Sequence, residues 1–97
     1  MAVSSTFLAK VKTALRVSFN DFDSQISDLI EEAILDLTTT ADIESFSTEN
    51  ADALQTGAVI SYVSYKWFAD DRYFVSYNDI KTKMALSGNY RSVANEE

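Results

Sequence analysis

The chain lacks several residue types that common protein chemistry requires. Its 97 residues include no cysteine, no histidine and no proline, and only two glycines. Without cysteine and histidine there can be no disulfide framework, thiolate nucleophile, Cys/His zinc site or histidine general base. Strand-rich domains need turn residues every few positions, so the scarcity of glycine and proline favours long helices.

Long hydrophobic runs are also missing. No apolar stretch approaches the length of a transmembrane helix, and the first ten residues, MAVSSTFLAK, contain no signal-peptide hydrophobic segment. We therefore expect a soluble protein that remains inside the cell that makes it. The hydrophobic content of 46% is typical of a globular fold, and the length predicts a single domain, residues 1–97, with one modest core.

Charge is distributed unevenly along the chain. The net charge is −7, from eight basic and fifteen acidic residues. Residues 1–20 carry bases but no acid, whereas residues 21–44 carry acids but no base. Because lysine and arginine contacts to phosphate supply most general DNA affinity, this composition opposes non-specific DNA binding.

Apolar periodicity predicts an all-α fold, a small four-helix domain. The predicted helices lie near residues 5–16, 21–38, 50–69 and 71–86. The residues suited to cap or open the first three are Ser4 or Ser5, Asn20, and Ser47 or Thr48. We expect the core to span about residues 5–88, followed by a polar, mobile C-terminal tail at 89–97.

The third helix is predicted to be central, because nearly every face of it is apolar. Ile60, Val63 and Trp67 should be mostly buried. Gly57, Ser61 and Ser64 recur at steps of four and three, which predicts a stripe of small side chains where another helix could approach closely.

Residues 62–77, YVSYKWFADDRYFVSY, contain seven aromatic rings. A base-stacking platform needs rings beside a basic groove, whereas this segment has two carboxylates at its centre. The rings also recur at helical spacing. The segment therefore predicts core packing, with some tyrosines at a rim or subunit interface.

Asp70 and Asp71 could be interpreted as paired carboxylates for acid–base chemistry or Mg²⁺. Adjacent residues on a helix do not face each other, and no glycine-rich phosphate loop accompanies them. The pair instead predicts a junction between two helices. Ser18 likewise has no histidine to activate it. We expect no enzymatic activity, no cofactor and no metal site.

The second helix has an acidic face. Its members recur at steps of four, three, four and four: Asp21, Gln25, Asp28, Glu32 and Asp36. Such a face can be a solvated surface, an interface for a basic surface, or a wall that repels the DNA backbone. The basic segments of helices 1 and 4 could meet it in a neighbouring copy.

The order of these segments resembles a known family. VKTALRVSFNDFDSQISDLIEEAILDL, then a Tyr-rich helix, then KMALSGNYR are similar to the head–tail connector (adaptor) family of tailed bacteriophages, across about residues 7–91. The resemblance implies a structural virion protein and not an enzyme. It implies a ring, about twelve-fold when docked beneath the capsid portal. Because exposed ion pairs are individually worth only about 0–1 kcal/mol, we expect the free chain to be monomeric.

The same resemblance implies partners and a location. The ring would bind the portal protein and the next connector or tail-completion protein, and DNA would pass through without specific binding. The protein would assemble in the host bacterial cytoplasm and end at the head–tail junction of the virion, with no membrane contact and no cofactor.

Two sets of site residues follow as hypotheses. The subunit contact would pair Asp28, Glu32 and Asp36 with Lys10, Lys12 and Arg16, with Lys81 and Lys83 as the alternative basic side. The portal or tail contact would involve Asn89, Tyr90 and Arg91. The alternative function is an acidic DNA mimic or inhibitor that binds a basic host partner.

Overall fold

The structure is a computed structural model that describes residues 3–40, 48–49 and 51–87. Its four helices are α1 (Ser5–Leu15), α2 (Asp23–Thr40), α3 (Ala53–Phe68) and α4 (Asp71–Ser87). All regular secondary structure in the described residues is helical, which confirms the prediction of a small all-α four-helix domain. The predicted tail at 89–97 lies outside these residues. Among the described helices, none is both long and apolar enough to cross a membrane.

Helix α1 begins as its sequence predicts. The Ser4 side chain accepts a hydrogen bond from the backbone N–H of Phe7 at 3.1 Å, which satisfies one free donor of the first turn. Phe7, Val11 and Leu15 recur every fourth residue and are buried. The helix ends at Leu15 and is capped by Arg16, whose φ of 63° is left-handed, and the chain then turns toward α2.

The start of α2 differs from the prediction. The helix begins at Asp23, where the Phe22 carbonyl accepts the N–H of Ile26 at 2.9 Å. The prediction that Asn20 caps this helix was wrong, because the Asn20 amide oxygen accepts a hydrogen bond from the Lys12 ammonium at 2.8 Å. The inward face of α2 is buried as the periodicity predicts, at Ile26, Ile30, Ala33, Ile34 and Leu37.

The cap of α3 is Asp52. Its carboxylate accepts the backbone N–H of Gln55 while the Gln55 side chain accepts that of Asp52, both at 2.9 Å, which is a reciprocal capping box. Thr48 does not cap this helix as predicted. It is buried, and its hydroxyl accepts the N–H of Ser4 at 2.9 Å, so it fastens the chain before α3 to the start of α1.

Helices α3 and α4 are joined by two residues. Ala69 adopts a left-handed conformation with φ of 54°, and the Asp70 carboxylate accepts the backbone N–H of Arg72 at 3.0 Å. The Arg72 guanidinium, 2.7 Å from the same carboxylate, lowers the pKa of Asp70 to about 2. The short turn makes α3 and α4 neighbours, and the prediction of a helix junction is confirmed.

Helix α3 occupies the centre and packs against each of the other three helices. Val63 is fully buried, and Ile60 and Trp67 are partly buried against the core, which agrees with the prediction that all three are mostly buried. Trp67 lies at the end of α3, where Phe22 covers it edge-on with ring centroids 5.5 Å apart. The small-residue stripe does receive a helix, since a Cβ added at Gly57 would meet Ile80 of α4 at 3.6 Å.

We expect the Trp67→Ala substitution to lower the free energy of unfolding by about 1–3 kcal/mol. This is less than the roughly 3–5 kcal/mol typical of a buried tryptophan, because part of the ring already contacts solvent. Leu37→Ala, at a fully buried position, should cost at least as much, about 2–5 kcal/mol. Urea denaturation measures both. A Trp67→Ala cost above that of Leu37→Ala would show that Trp67 is the main core residue after all.

We expect Ala69→Gly to raise the free energy of unfolding by about 0.5–1 kcal/mol. Left-handed backbone costs a residue with a Cβ about 1–2 kcal/mol, part of which the greater freedom of unfolded glycine offsets. The matched control is Ala9→Gly in the exposed interior of α1, which should lower stability by about 0.5–1 kcal/mol. Thermal and urea unfolding should therefore show that the same alanine-to-glycine change stabilises the protein at position 69 and destabilises it at position 9.

Candidate functional site

Two similar clusters connect the acidic side of α2 to the neighbouring helices. In the Glu32 cluster, the Tyr62 hydroxyl donates to the Glu32 carboxylate at 2.5 Å, and the Lys66 ammonium lies 3.4 Å from the same oxygen. The Asp36 cluster repeats this pattern. The Tyr77 hydroxyl donates to Asp36 at 2.5 Å, and the Lys81 ammonium lies 3.3 Å from the carboxylate.

The helical repeat explains why the two clusters are alike. Glu32 and Asp36 are one turn apart on α2, and each tyrosine is followed four residues later by its lysine, so each pair shares a helix face. The Tyr62 and Tyr77 rings also meet edge to face with centroids 5.1 Å apart. The four-residue Tyr–Lys spacing is visible in the sequence, but it does not reveal which carboxylates it meets.

Both tyrosines are buried, and their hydroxyl groups depend on the carboxylates for hydrogen bonding. Burial and, after it, the hydrogen bond to Glu32 raise the pKa of Tyr62 well above its ordinary value of 10. The same causes, with Asp36 as the acceptor, raise the pKa of Tyr77 further. The neutral tyrosine donor is therefore the form that the folded state favours.

Two of the carboxylates predicted to form an acidic interface, Glu32 and Asp36, are paired with lysines of the same chain. No basic residue within α2 offsets its acidic side chains, but Lys66 and Lys81 do so from α3 and α4. Glu32 and Asp36 thus stabilise the chain's own fold, and Lys81 is paired within the same chain. Whether they also contact another subunit stays a prediction.

Lys12, predicted on the basic side of the contact, is also engaged within the chain. Its ammonium lies 2.7 Å from the Asp23 carboxylate and binds Asn20, and only 12% of its side chain is exposed. The Asp23 oxygen is shielded from solvent and makes no well-angled hydrogen bond, so the Lys12 ammonium is its compensating partner. This pair connects α1 to the start of α2.

An open groove of about 670 Å³ lies beside that pair, between α1 and the segment that leads into α2. Leu8, Ala9 and Val17 supply apolar lining, and Arg16 contributes a cation. Lys12 and Asp23 also line the groove and are paired with each other, so Arg16 leaves it with a net positive charge beside its apolar surface.

Four of the six residues predicted for the subunit contact are exposed: Lys10, Arg16, Asp28 and Glu32. Of these, Glu32 is paired with Lys66 of the same chain. Asp28 makes no hydrogen bond or ion pair with any residue that the structure describes. Two turns further along α2, Leu35 has 62% of its surface exposed. Leu35 was not predicted as a site residue, although a leucine within an acidic helix face was the signal that could have identified it.

A second exposed surface, the α3–α4 tip, is formed by Phe68, Tyr73, Phe74 and Val75. The Phe68 and Tyr73 rings stack across the turn with centroids 5.8 Å apart, and Phe74 packs on Tyr65 at 4.8 Å. Val75 exposes 68% of its surface. Of the seven rings in the aromatic segment, Tyr62 and Tyr77 are buried, whereas Phe68, Tyr73 and Phe74 are exposed. The prediction of core packing therefore holds for only part of the segment, and the rim includes phenylalanines as well as a tyrosine.

The described residues include no group of three or more acidic side chains placed to hold a metal ion. The absence of catalysis stays a prediction, and Asn89, Tyr90 and Arg91 lie outside the described residues. Comparison of the chain with protein-family models, curated proteins and solved structures found no match.

The tyrosine–carboxylate bonds predict a loss of stability at alkaline pH. Above about pH 10 the unfolded chain loses its tyrosine protons, while folded Tyr62 and Tyr77 keep theirs because their pKa is raised. The unfolded state then binds fewer protons, so the free energy of unfolding falls as pH rises. Below pH 10 the two tyrosine–carboxylate hydrogen bonds make their full contribution to the free energy of unfolding.

Tyr77→Phe should reduce the part of this fall that occurs above pH 10. It should also cost about 1.5–3 kcal/mol at neutral pH, because Asp36 loses a donor. Urea denaturation at a series of pH values from neutral to alkaline measures both effects. Tyr73→Phe, which removes an exposed tyrosine hydroxyl, is the control. Equal pH profiles for the two variants would contradict the assigned role of Tyr77.

Proposed function

We propose that this protein is a structural head–tail connector, an adaptor that forms a ring beneath a phage portal and extends the DNA conduit toward the tail. The observation that carries the proposal is the α3–α4 tip. Large apolar side chains clustered and exposed at one place on a small domain are typical of a protein–protein interface. Together with the family resemblance of residues 7–91, this favours an assembly protein.

The distribution of charge supports the same function. A conduit wall must let DNA slide without adhesion, and exposed carboxylates repel phosphates. Asp28 on the outside of α2 and Asp21 just before the helix are exposed. Lys12 and Lys81 form ion pairs within the chain, which further reduces the cationic surface available to DNA.

The contacts within the chain disfavour the alternative, an acidic DNA mimic. A mimic needs a row of carboxylates free to bind a basic partner. Here Asp23, Glu32 and Asp36 are each already paired with a lysine of the same chain. Fewer unpaired carboxylates are therefore available on α2 than its sequence indicates.

Deletion of the gene from its phage genome tests the function. We expect DNA-filled heads and separate tails to accumulate, with few infectious particles, and a plasmid copy to restore infection. Plaque counts and electron microscopy of lysates give the result. Normal numbers of tailed, infectious particles without the gene would rule out the connector function.

Complementation with surface variants tests the observation behind it. Val75→Asp places a charge in the α3–α4 tip, so we expect it to reduce joining of heads and tails. Leu86→Asp is the matched control, since Leu86 lies on the same helix away from the tip and exposes 81% of its surface. Both variants should melt like the parent because both positions are exposed. Full complementation by Val75→Asp would exclude the tip as a functional contact.

A further inference from the structure

Among the exposed charges outside the internal pairs, Asp28 and Arg16 have opposite signs and lie on two different surfaces. Asp28 and Leu35 lie on the outer face of α2, where neither is covered by the described residues. Arg16 lies beside the apolar groove of α1. One surface offers an apolar side chain within acidic surroundings, and the other offers an apolar groove with a cation.

We infer that α2 of one copy docks antiparallel on the α1 groove of a second copy of this chain, with Leu35 against Leu8 and Ala9, and Asp28 beside Arg16. The occupant is a second copy because both complementary halves are present on one chain. The contact supplies a subunit interface for the proposed ring and in that respect rests on the proposed function.

The spacing of the residues agrees with this register. A helix rises about 1.5 Å per residue, so seven residues separate Asp28 and Leu35 by about 10.5 Å along α2. Eight residues separate Leu8 and Arg16 by about 12 Å along α1. When Leu35 reaches the Leu8 end of the groove, an antiparallel α2 therefore brings Asp28 to the Arg16 end.

The two surfaces share no residue, so each copy can use both at once. Contacts of this head-to-tail kind propagate from copy to copy and close into a ring when the rotation permits. The register also leaves Glu32, Asp36 and Lys12 in their internal pairs. Docking therefore does not require the fold to give up the contacts that hold α2 in place.

Cysteine cross-linking tests the contact directly, because the natural chain has no cysteine. The variant carrying both Ala9→Cys and Leu35→Cys is oxidised at high protein concentration and low salt. We expect a ladder of reducible oligomers on a denaturing gel, since every copy carries both halves. A mixture of the two single variants should stop at the mixed dimer.

The control replaces Leu35→Cys with Leu86→Cys, which is exposed on α4 and should give several-fold less product. Adding Asp28→Lys or Arg16→Asp to the cross-linking pair should lower the yield several-fold, and adding both should restore it. No ladder, an equal ladder with the Leu86→Cys control, or no restoration by the charge exchange would each overturn the proposed contact.

The outcome is separable from that of the gene deletion. A ladder from a protein whose deletion leaves infection normal would support the contact and reject the connector function. An absent ladder with loss of infection on deletion would reject the contact and leave the connector function standing.

Discussion

The hydrogen bond from Tyr77 to Asp36 is the interaction on which much of the remaining arrangement depends. Tyr77 is fully buried, and a buried hydroxyl without a partner is costly. The acceptor is Asp36 of α2, and α3 lies between α2 and α4 in the sequence. Since α4 otherwise packs chiefly against α3, this bond also ties α4 to α2 and sets how the α3–α4 hairpin lies on the domain.

The need of buried tyrosines for acceptors also determines which carboxylates of α2 can bind other molecules. A carboxylate that accepts a buried tyrosine and lies near a lysine contributes little net field to the surface. Glu32 and Asp36 are of this kind. Asp23 is paired with Lys12 alone, and Asp28 has no ion pair with the described residues. The carboxylates of α2 thus fall into two groups: some are paired within the chain and support the fold, and Asp28 is available to contact another molecule. The packing of the helices decides which carboxylate belongs to which group.

The exposed apolar side chains follow from the size of the domain. A chain of this length buries only about two thirds of the surface that its unfolded form exposes. The core is formed by one row from each helix, and large apolar side chains outside those rows are exposed at the α3–α4 tip, at Leu35, at Leu86, and at Phe19 and Phe22 before α2. In an assembly protein, such surfaces are where binding energy is available.

Local pattern alone was enough to predict the four helices, a serine cap at Ser4 or Ser5, the Asp70–Asp71 junction and the central position of α3. Periodicity and first-turn hydrogen bonds involve residues close in sequence. The tertiary structure decided the rest. In the fold, Asn20 and Thr48 form hydrogen bonds other than the predicted helix caps, and Trp67 lies at the partly exposed end of α3. Glu32, Asp36 and Lys12 form ion pairs within the chain, whereas Asp28 and Arg16 form none with the residues that the structure describes. Tyr77 and Asp36 are 41 residues apart, so their contact depends on how the helices pack, which no short stretch of sequence specifies.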